Sequence, residues 1–227
     1  MAHLPWEQIQ TVLLDMDGTL LDLHFDNYFW LHHLPQKIAE KENKPVQECE
    51  ERMRRAYAQV QGKIEWYCLD YWAEKLDLDI MQAKREVEHL ISFRPDAIPF
   101  LDALRHTHHK VVLVTNAHPK SLSLKVEKTQ LDSHIDTLIS THQFGVTKES
   151  PKLWQALQAY LNFDPATTLF VDDSQPILDT ASQFGIAYTL GVANPDSKQA
   201  PNQLVHHPSV TSFMPLVPEI LACADNH

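Results

Sequence analysis

The sequence predicts an α/β protein: a doubly wound, Rossmann-like parallel sheet into which an all-helical module is inserted after the first strand. Three observations carry this expectation. Short apolar runs recur at Thr11–Leu14, Lys110–Thr115, Thr168–Val171 and Ala187–Leu190, and continuous apolar runs suit strands covered on both faces. Helical stretches separate the later runs, so helix and strand alternate as in right-handed βαβ units. From His24 to about Phe93 the alternation stops and aromatic, charged helical sequence takes over.

In order along the chain, Thr11–Leu14 is a β-rich run that leads straight into Asp15. Segments such as Glu50–Tyr57 and Glu65–Trp72 then show no strand-like alternation. Residues 23–94 are therefore expected to form a helical domain of about 70 residues, an ordinary size for a small one. Pro95 discourages a helix from continuing through Arg94. Beyond it, Ile98–Arg105 reads as an amphipathic helix, Lys110–Thr115 as a strand, Ser121–Gln130 as a helix and Thr137–Ser140 as a short strand. Pro151–Leu161 begins with proline, as a helix start should, and Thr168–Val171 is another buried strand. Pro176–Phe184 closes on Gly185 in the manner of a helix C-cap, and Ala187–Leu190 completes the strands. The tail beyond Asn194 is turn-rich and ends in an apolar segment, Phe213–Ala222. Residues 1–22 and 95–227 are thus expected to build the α/β core domain.

With 227 residues, 44% hydrophobic and 22% charged, the composition is that of an ordinary soluble globular protein. The formal net charge of −11 disfavours nucleic-acid backbones and acidic membrane surfaces as partners. No apolar run approaches the ~20 residues of a membrane span, and the first residues lack a signal-peptide pattern. Cys49, Cys68 and Cys223 are far apart with no CxxC pair, which argues against a disulfide framework or zinc knuckle and fits a reducing cytoplasm. Among the 14 histidines, His32-His33, His108-His109 and His206-His207 are adjacent pairs. A helical metal site wants i, i+4 spacing, so these are expected to be solvated surface histidines.

Ligands of a doubly wound sheet collect at the carboxyl ends of its strands. There the sequence places Asp15-Met16-Asp17-Gly18-Thr19, Thr115-Asn116 and Asp172-Asp173-Ser174. Two acid pairs on neighbouring strands repel one another unless a cation lies between them, and a few hard carboxylate oxygens suit Mg²⁺.

Asp15-Met16-Asp17-Gly18-Thr19-Leu20 resembles the DxDGT(L) signature of the haloacid dehalogenase-like phosphatases. Thr115-Asn116, Lys148 and Asp172-Asp173 stand in that family's remaining motif slots, in its order. The resemblance implies that Asp15 attacks phosphorus and forms an aspartyl-phosphate, which water then hydrolyses. Asp17 is implied as general acid and base, with its backbone carbonyl and the Asp15 carboxylate on Mg²⁺. Thr115 or Asn116 is expected to hydrogen-bond the phosphoryl oxygens, and Lys148 to offset their charge. Asp173 aligns with the acid that holds the metal, ahead of Asp172. The slot a few residues on commonly holds another acid, where this sequence has Ser174-Gln175-Pro176-Ile177-Leu178 with Asp179 later.

A narrower resemblance, to bacterial GMP/IMP nucleotidases of the same superfamily, rests on Leu14–Leu23, Phe25–Trp30, Trp66–Trp72, Thr115–Pro119 and Gly191–Ser197. It implies that a purine nucleoside 5′-monophosphate is the small-molecule partner, with the helical insertion closing over it as a cap. Asn27 and Tyr28 are then expected to contact the nucleotide, and His118 to reach a phosphate or ribose oxygen or else to cap its own helix. The alternatives are a phosphatase or phosphomutase acting on another ester, such as a sugar phosphate, and a non-catalytic binder of phosphate ligands.

Overall fold

The computed structural model describes residues 4–223. The outermost residues of the expected segments 1–22 and 95–227 lie outside the described residues. Six parallel strands form one sheet: β1 (Thr11–Leu14), β2 (Lys110–Thr115), β3 (Thr137–Ser140), β4 (Thr168–Asp172), β5 (Tyr188–Val192) and β6 (Ser209–Val210), in the order β3-β2-β1-β4-β5-β6. Every residue of β1 is buried. In the pairing, Leu14 lies opposite Leu113 of β2 and Val171 of β4.

Alternation along β1 divides the core between the two faces of the sheet. Val12 and Leu14 join a cluster with Phe100, Leu101 and Leu104 of α7 (Ala97–Arg105) and Ile220 of α11 (Val217–Ala222). Leu13 joins the opposite cluster, with Trp154 and Leu157 of α9 (Pro151–Leu161) and Ile177, Leu178 and Ala181 of α10 (Gln175–Phe184). The remaining core helix, α8 (Pro119–Thr129), follows β2.

Between β1 and β2 lie α1 (His24–Tyr28), a π-helical turn (Phe29–His33), α2 (Leu34–Glu42), α3 (Val46–Val60), α4 (Ile64–Tyr67), α5 (Leu69–Leu76) and α6 (Ile80–Glu86). They pack around an apolar cluster of their own that includes Phe25, Phe29, Met53 and Trp72, with Leu124 of α8 reaching in from the core.

Three sequence expectations need correction. Strand β6 falls in the tail that reads as turns, because two residues are too few to show a period. Helix α8 starts at Pro119 rather than Ser121, with His118 as its N-cap. His109, expected at the surface, is only 5% exposed, and its ring meets Trp6 edge-on at 5.7 Å. Among the described residues no helix is long and apolar enough to cross a membrane.

The two chain segments that join the helical module to the core run side by side. Leu21 and Phe93 form an antiparallel bridge, Asp22 N–H donates to Ser92 O at 3.0 Å, and Arg94 N–H donates to Leu20 O at 2.9 Å. Below this neck the buried Arg94 guanidinium donates to the Asn194 carbonyl, to Asn194 Oδ1 at 3.1 Å and to Thr211 O at 3.2 Å. It also lies 3.5 Å from Asp96, which in turn accepts the Phe213 N–H at 2.6 Å. Removing the cation leaves a buried carboxylate uncompensated, a loss of about 3–5 kcal/mol. Arg94→Ala is expected to lower the urea midpoint accordingly, and a loss below about 1 kcal/mol, the range of a surface pair, would show that the neck does not depend on Arg94.

Candidate active site

The strand order reverses at β1, with β2 and β3 on one side and β4, β5 and β6 on the other. A crevice opens at such a switch point beyond the carboxyl ends. As β1 ends, Asp15 N–H still donates to Val171 O at 2.9 Å, and the chain then folds back so that Gly18 N–H donates to Leu21 O at 2.8 Å. Gly18 is required twice over. Its φ is +87°, and a Cβ built there would lie 2.7 Å from Asp173 Oδ2 and 2.9 Å from the Pro195 side chain, so any larger residue is both strained and obstructed.

Lys148 is the centre of the site. Its ammonium donates to Asp15 Oδ1 at 2.5 Å and to Asp172 Oδ2 at 2.7 Å, and its side chain is 2% exposed. The other Asp15 oxygen accepts the Thr19 hydroxyl at 3.2 Å. Asp172 Oδ1 accepts Ser174 N–H at 2.8 Å, so both oxygens of Asp172 are engaged by the protein. Carboxylate oxygens of Asp15, Asp172 and Asp173 come within 4.8 Å of one another. Three acids facing one lysine leave an excess of negative charge. Desolvation, opposed by Lys148 and reinforced by Asp172, raises the Asp15 carboxyl to about 6. Desolvation and the neighbouring Asp172 and Asp15 push Asp173 well above the usual range, while at Lys148 desolvation is outweighed by the Asp15 and Asp172 carboxylates, which drive the ammonium upward. Such a cluster could hold a divalent cation through Asp15 and Asp173.

A second buried charge network surrounds Asp17. Lys125 of α8 lies 2.6 Å from Asp17 and 2.6 Å from Asp26 of α1, and Lys84 of α6 lies 3.1 Å from Asp26. Both lysines are 1% exposed, and Lys84 also sits 4.5 Å from the centre of the Phe29 ring. Desolvation, opposed by Lys125, raises Asp17 to about 6. Two lysines outweigh desolvation at Asp26 and hold it down to about 2. Sequence reasoning missed Lys125, Asp26 and Lys84. The available signal was Lys125 on the same helical face as Ser121, four residues away.

Thr115 and Asn116 behave differently from one another. Thr115 Oγ1 accepts Ala117 N–H at 3.0 Å, leaving its hydroxyl proton to donate. The Asn116 side chain is fully engaged: Oδ1 accepts the Thr141 hydroxyl at 3.0 Å and Lys148 N–H at 2.9 Å, and Nδ2 donates to Glu149 at 2.9 Å. Glu149, which the sequence did not single out, also accepts the Tyr67 hydroxyl at 2.8 Å, a contact from the helical module to the core.

The crevice is a cavity of about 340 Å³ lined by Asp15, Asp17, Asn27, Thr115, Asn116, His118, Lys148, Asp172 and Asp173, with Trp30, Tyr57, Trp66 and Tyr67 from the helical module. Asn27 Nδ2 donates to Asp196 at 2.8 Å. His118 caps α8, accepting Lys120 N–H at 3.2 Å, as well as facing the cavity. Tyr28 is the one candidate the structure leaves out of the cavity wall. Its ring packs beside His24 at 6.1 Å and His32 at 6.0 Å, about 100° around the helix from Asn27.

Comparison with known proteins agrees with this arrangement. The family model described as haloacid dehalogenase-like hydrolase matches residues 9–185. The GMP/IMP nucleotidase YrfG of Escherichia coli (strain K12) is 48% identical over 219 residues, spanning 96% of this chain and 99% of the relative. Among solved structures, a HAD phosphatase from Thermococcus onnurineus superposes with a TM-score of 0.76 at 22% identity, over 93% of this chain and 98% of that one. The L-2-haloacid dehalogenase from Xanthobacter autotrophicus gives a TM-score of 0.58 at 18% identity, over 93% and 98%. Identities this low speak for the fold alone. With its acids and its lysine gathered at the switch point of the sheet, and a family model covering most of its length, the chain belongs to the haloacid dehalogenase-like hydrolases.

Proposed function

We propose that this chain is a Mg²⁺-dependent phosphatase that hydrolyses purine nucleoside 5′-monophosphates, GMP and IMP, through an aspartyl-phosphate on Asp15. The observation that carries the chemistry is the convergence of Asp15, Asp172 and Asp173 on Lys148. The purine substrate rests on the full-length relative named as a GMP/IMP nucleotidase, and the aromatic cavity wall supports it.

Asp15 attacks phosphorus while the bond to the nucleoside 5′ oxygen breaks, and Asp17 gives that oxygen its proton. Water then attacks the phosphorus of the aspartyl-phosphate, Asp17 takes the water's proton, and phosphate leaves with the Asp15 carboxylate restored. A carboxyl raised to about 6 supplies both protonation states near neutral pH, as a group that is first acid and then base requires. The Thr115 hydroxyl and the Lys148 ammonium face the phosphoryl oxygens. The Asp15 and Asp173 carboxylates and the Asp17 backbone carbonyl are the groups that would hold Mg²⁺, whose charge at that place offsets the phosphoryl charge. Asp172 acts by orienting Lys148. Residues 23–94 serve as the cap, tied to the core by Tyr67–Glu149 and Asp26–Lys125, with Trp30 and Trp66 placed to stack on a base. Asp17 sets this reading apart from a dehalogenase, whose chemistry needs no second acid at that position.

Purified protein with Mg²⁺ is expected to release phosphate from GMP and IMP in preference to AMP, pyrimidine nucleotides and sugar phosphates, and both EDTA and Asp15→Asn are expected to abolish release. Release mainly from sugar phosphates would overturn the purine assignment, and no release from any ester would overturn the catalytic one.

Because Lys125 holds the Asp17 carboxyl down against desolvation, its removal raises that carboxyl further. Lys125→Met is expected to move the pH–rate profile upward and to lower kcat at neutral pH by about 10–100-fold, within the span a positioned acid–base group supplies. An unmoved profile would show that Lys125 does not tune Asp17.

For Asp26 the folded value, about 2, lies below the unfolded value of about 3.9. Its pairing therefore stabilises fully above the unfolded value, and that stability disappears as pH falls through about 2. Asp26→Asn should cost about 3–5 kcal/mol at neutral pH by leaving two buried lysines undercompensated. In thermal melts the gap to the parent should narrow as acid is added, and a gap independent of pH would contradict the ion-pair assignment.

A further inference from the structure

A second set of metal-ligating side chains lies beside the cavity and takes no part in the chemistry above. Cys68 occupies the break between α4 and α5 of the helical module. His118 caps α8 in the core, and His142 lies in the short helical turn after β3, Thr141–Phe144. One ligand atom from each, a sulfur and two imidazole nitrogens, come within 4.8 Å of one another, and the two imidazole rings stand 5.0 Å apart at 77°.

We propose that Cys68, His118 and His142 bind a borderline-soft divalent metal ion, Zn²⁺ foremost, which bridges the helical module and the core.

Three observations support the assignment. His142 Nε2 is buried and makes no hydrogen bond, so in the Nδ1-protonated tautomer its lone pair is free to bind a metal. A buried, unpartnered nitrogen is uncommon in a native fold and needs a reason. His118 Nε2 lies 3.3 Å from Asp70 Oδ2, a carboxylate–histidine pairing of the kind that orients metal-bound imidazoles. Ligation through His118 Nδ1 would keep that pairing and replace only the 3.2 Å contact to Lys120 N–H. The Cys68 thiol is free and half-buried.

The donor types decide which ion fits. One thiolate and two imidazoles suit Zn²⁺ and its neighbours and reject Mg²⁺, which takes oxygen. Tetrahedral zinc, with Zn–S of about 2.3 Å and Zn–N of about 2.0–2.1 Å, sets its donors roughly 3.3–3.7 Å apart, so donors that lie within 4.8 Å of one another need to draw in by no more than about 1.5 Å. Three protein ligands leave a fourth position open. Cys68 belongs to the cap and both histidines to the core, so a bound ion latches the cap shut and slows entry and release at the site. That consequence rests on the phosphatase reading, whereas the binding itself does not.

Full-length, reduced, Mg²⁺-saturated protein is therefore titrated with Co²⁺ and followed by absorption. The expected result is a single Co²⁺ in a tetrahedral spectrum with a thiolate-to-metal charge-transfer band, displaced by Zn²⁺. Cys68→Ser should remove that band, His142→Gln should weaken binding by about tenfold or more, and Asp173→Asn should leave both unchanged. Uptake without the thiolate band, or uptake lost in Asp173→Asn and retained in the other two variants, would overturn the site. Alkylation of Cys68 in the unaltered protein gives a measurement that needs no variant: Zn²⁺ should protect the thiol, and equal labelling with and without Zn²⁺ counts against the proposal. In the phosphatase assay Zn²⁺ should inhibit the parent at the concentrations that fill the site and lose potency in Cys68→Ser. Equal inhibition of both proteins would overturn the latch even if the site binds.

Discussion

The arrangement of the whole molecule depends on holding three carboxylates beside a single ammonium at the carboxyl edge of a parallel sheet. Burying that much uncompensated charge opposes folding, so the surrounding structure has to fix it in place. Lys148 is gripped from several directions. Asn116 Oδ1 accepts its backbone N–H at 2.9 Å, Trp154 Nε1 donates to its carbonyl at 2.9 Å, and the Phe170 ring lies 5.8 Å from its ammonium. Trp154 and Phe170 are themselves fully buried core residues that meet edge to face at 4.8 Å. The core on one side of the sheet thus doubles as the mount for the lysine, and the excess negative charge becomes an affinity for cations.

How much was legible in the sequence follows from the range over which each signal acts. The strands were legible because burial on both faces forces a continuous apolar run, and β2, β3 and α9 fall where the residues placed them. The DxDGT segment, Thr115-Asn116, Lys148 and Asp172-Asp173 were legible because the sheet delivers strand ends to one edge, whatever the intervening chain does. Lys125, Asp26, Lys84 and Glu149 were not, since a single charged residue in an amphipathic helix reads as solvated until its distant partner is known. Tyr28 lies outside the cavity wall for a different reason. Its neighbour Asn27 faces the cavity, and one step along a helix turns a side chain through about 100°.

The two charge networks divide the site into parts with different ties. Asp15, Asp172, Asp173 and Lys148 all come from the core, so that cluster is built without side chains from the helical module. Asp17 is linked through Lys125 to Asp26, and Asn116 through Glu149 to Tyr67, so Asp17 and the Thr115-Asn116 turn both feel the module's position.

The neck gives the helical insertion an unusual independence. Its two connecting segments are already hydrogen-bonded to each other through Leu21 and Phe93 and are anchored below by Arg94. To the sheet the insertion is therefore a closed loop, and loop length adds cost only logarithmically, about 0.6 kcal/mol for each doubling. Helices can be gained, lost or reshaped above that point without moving a strand out of register. Substrate preference can then diversify by remodelling of the insertion while the acids and lysine at the sheet edge stay still beneath it.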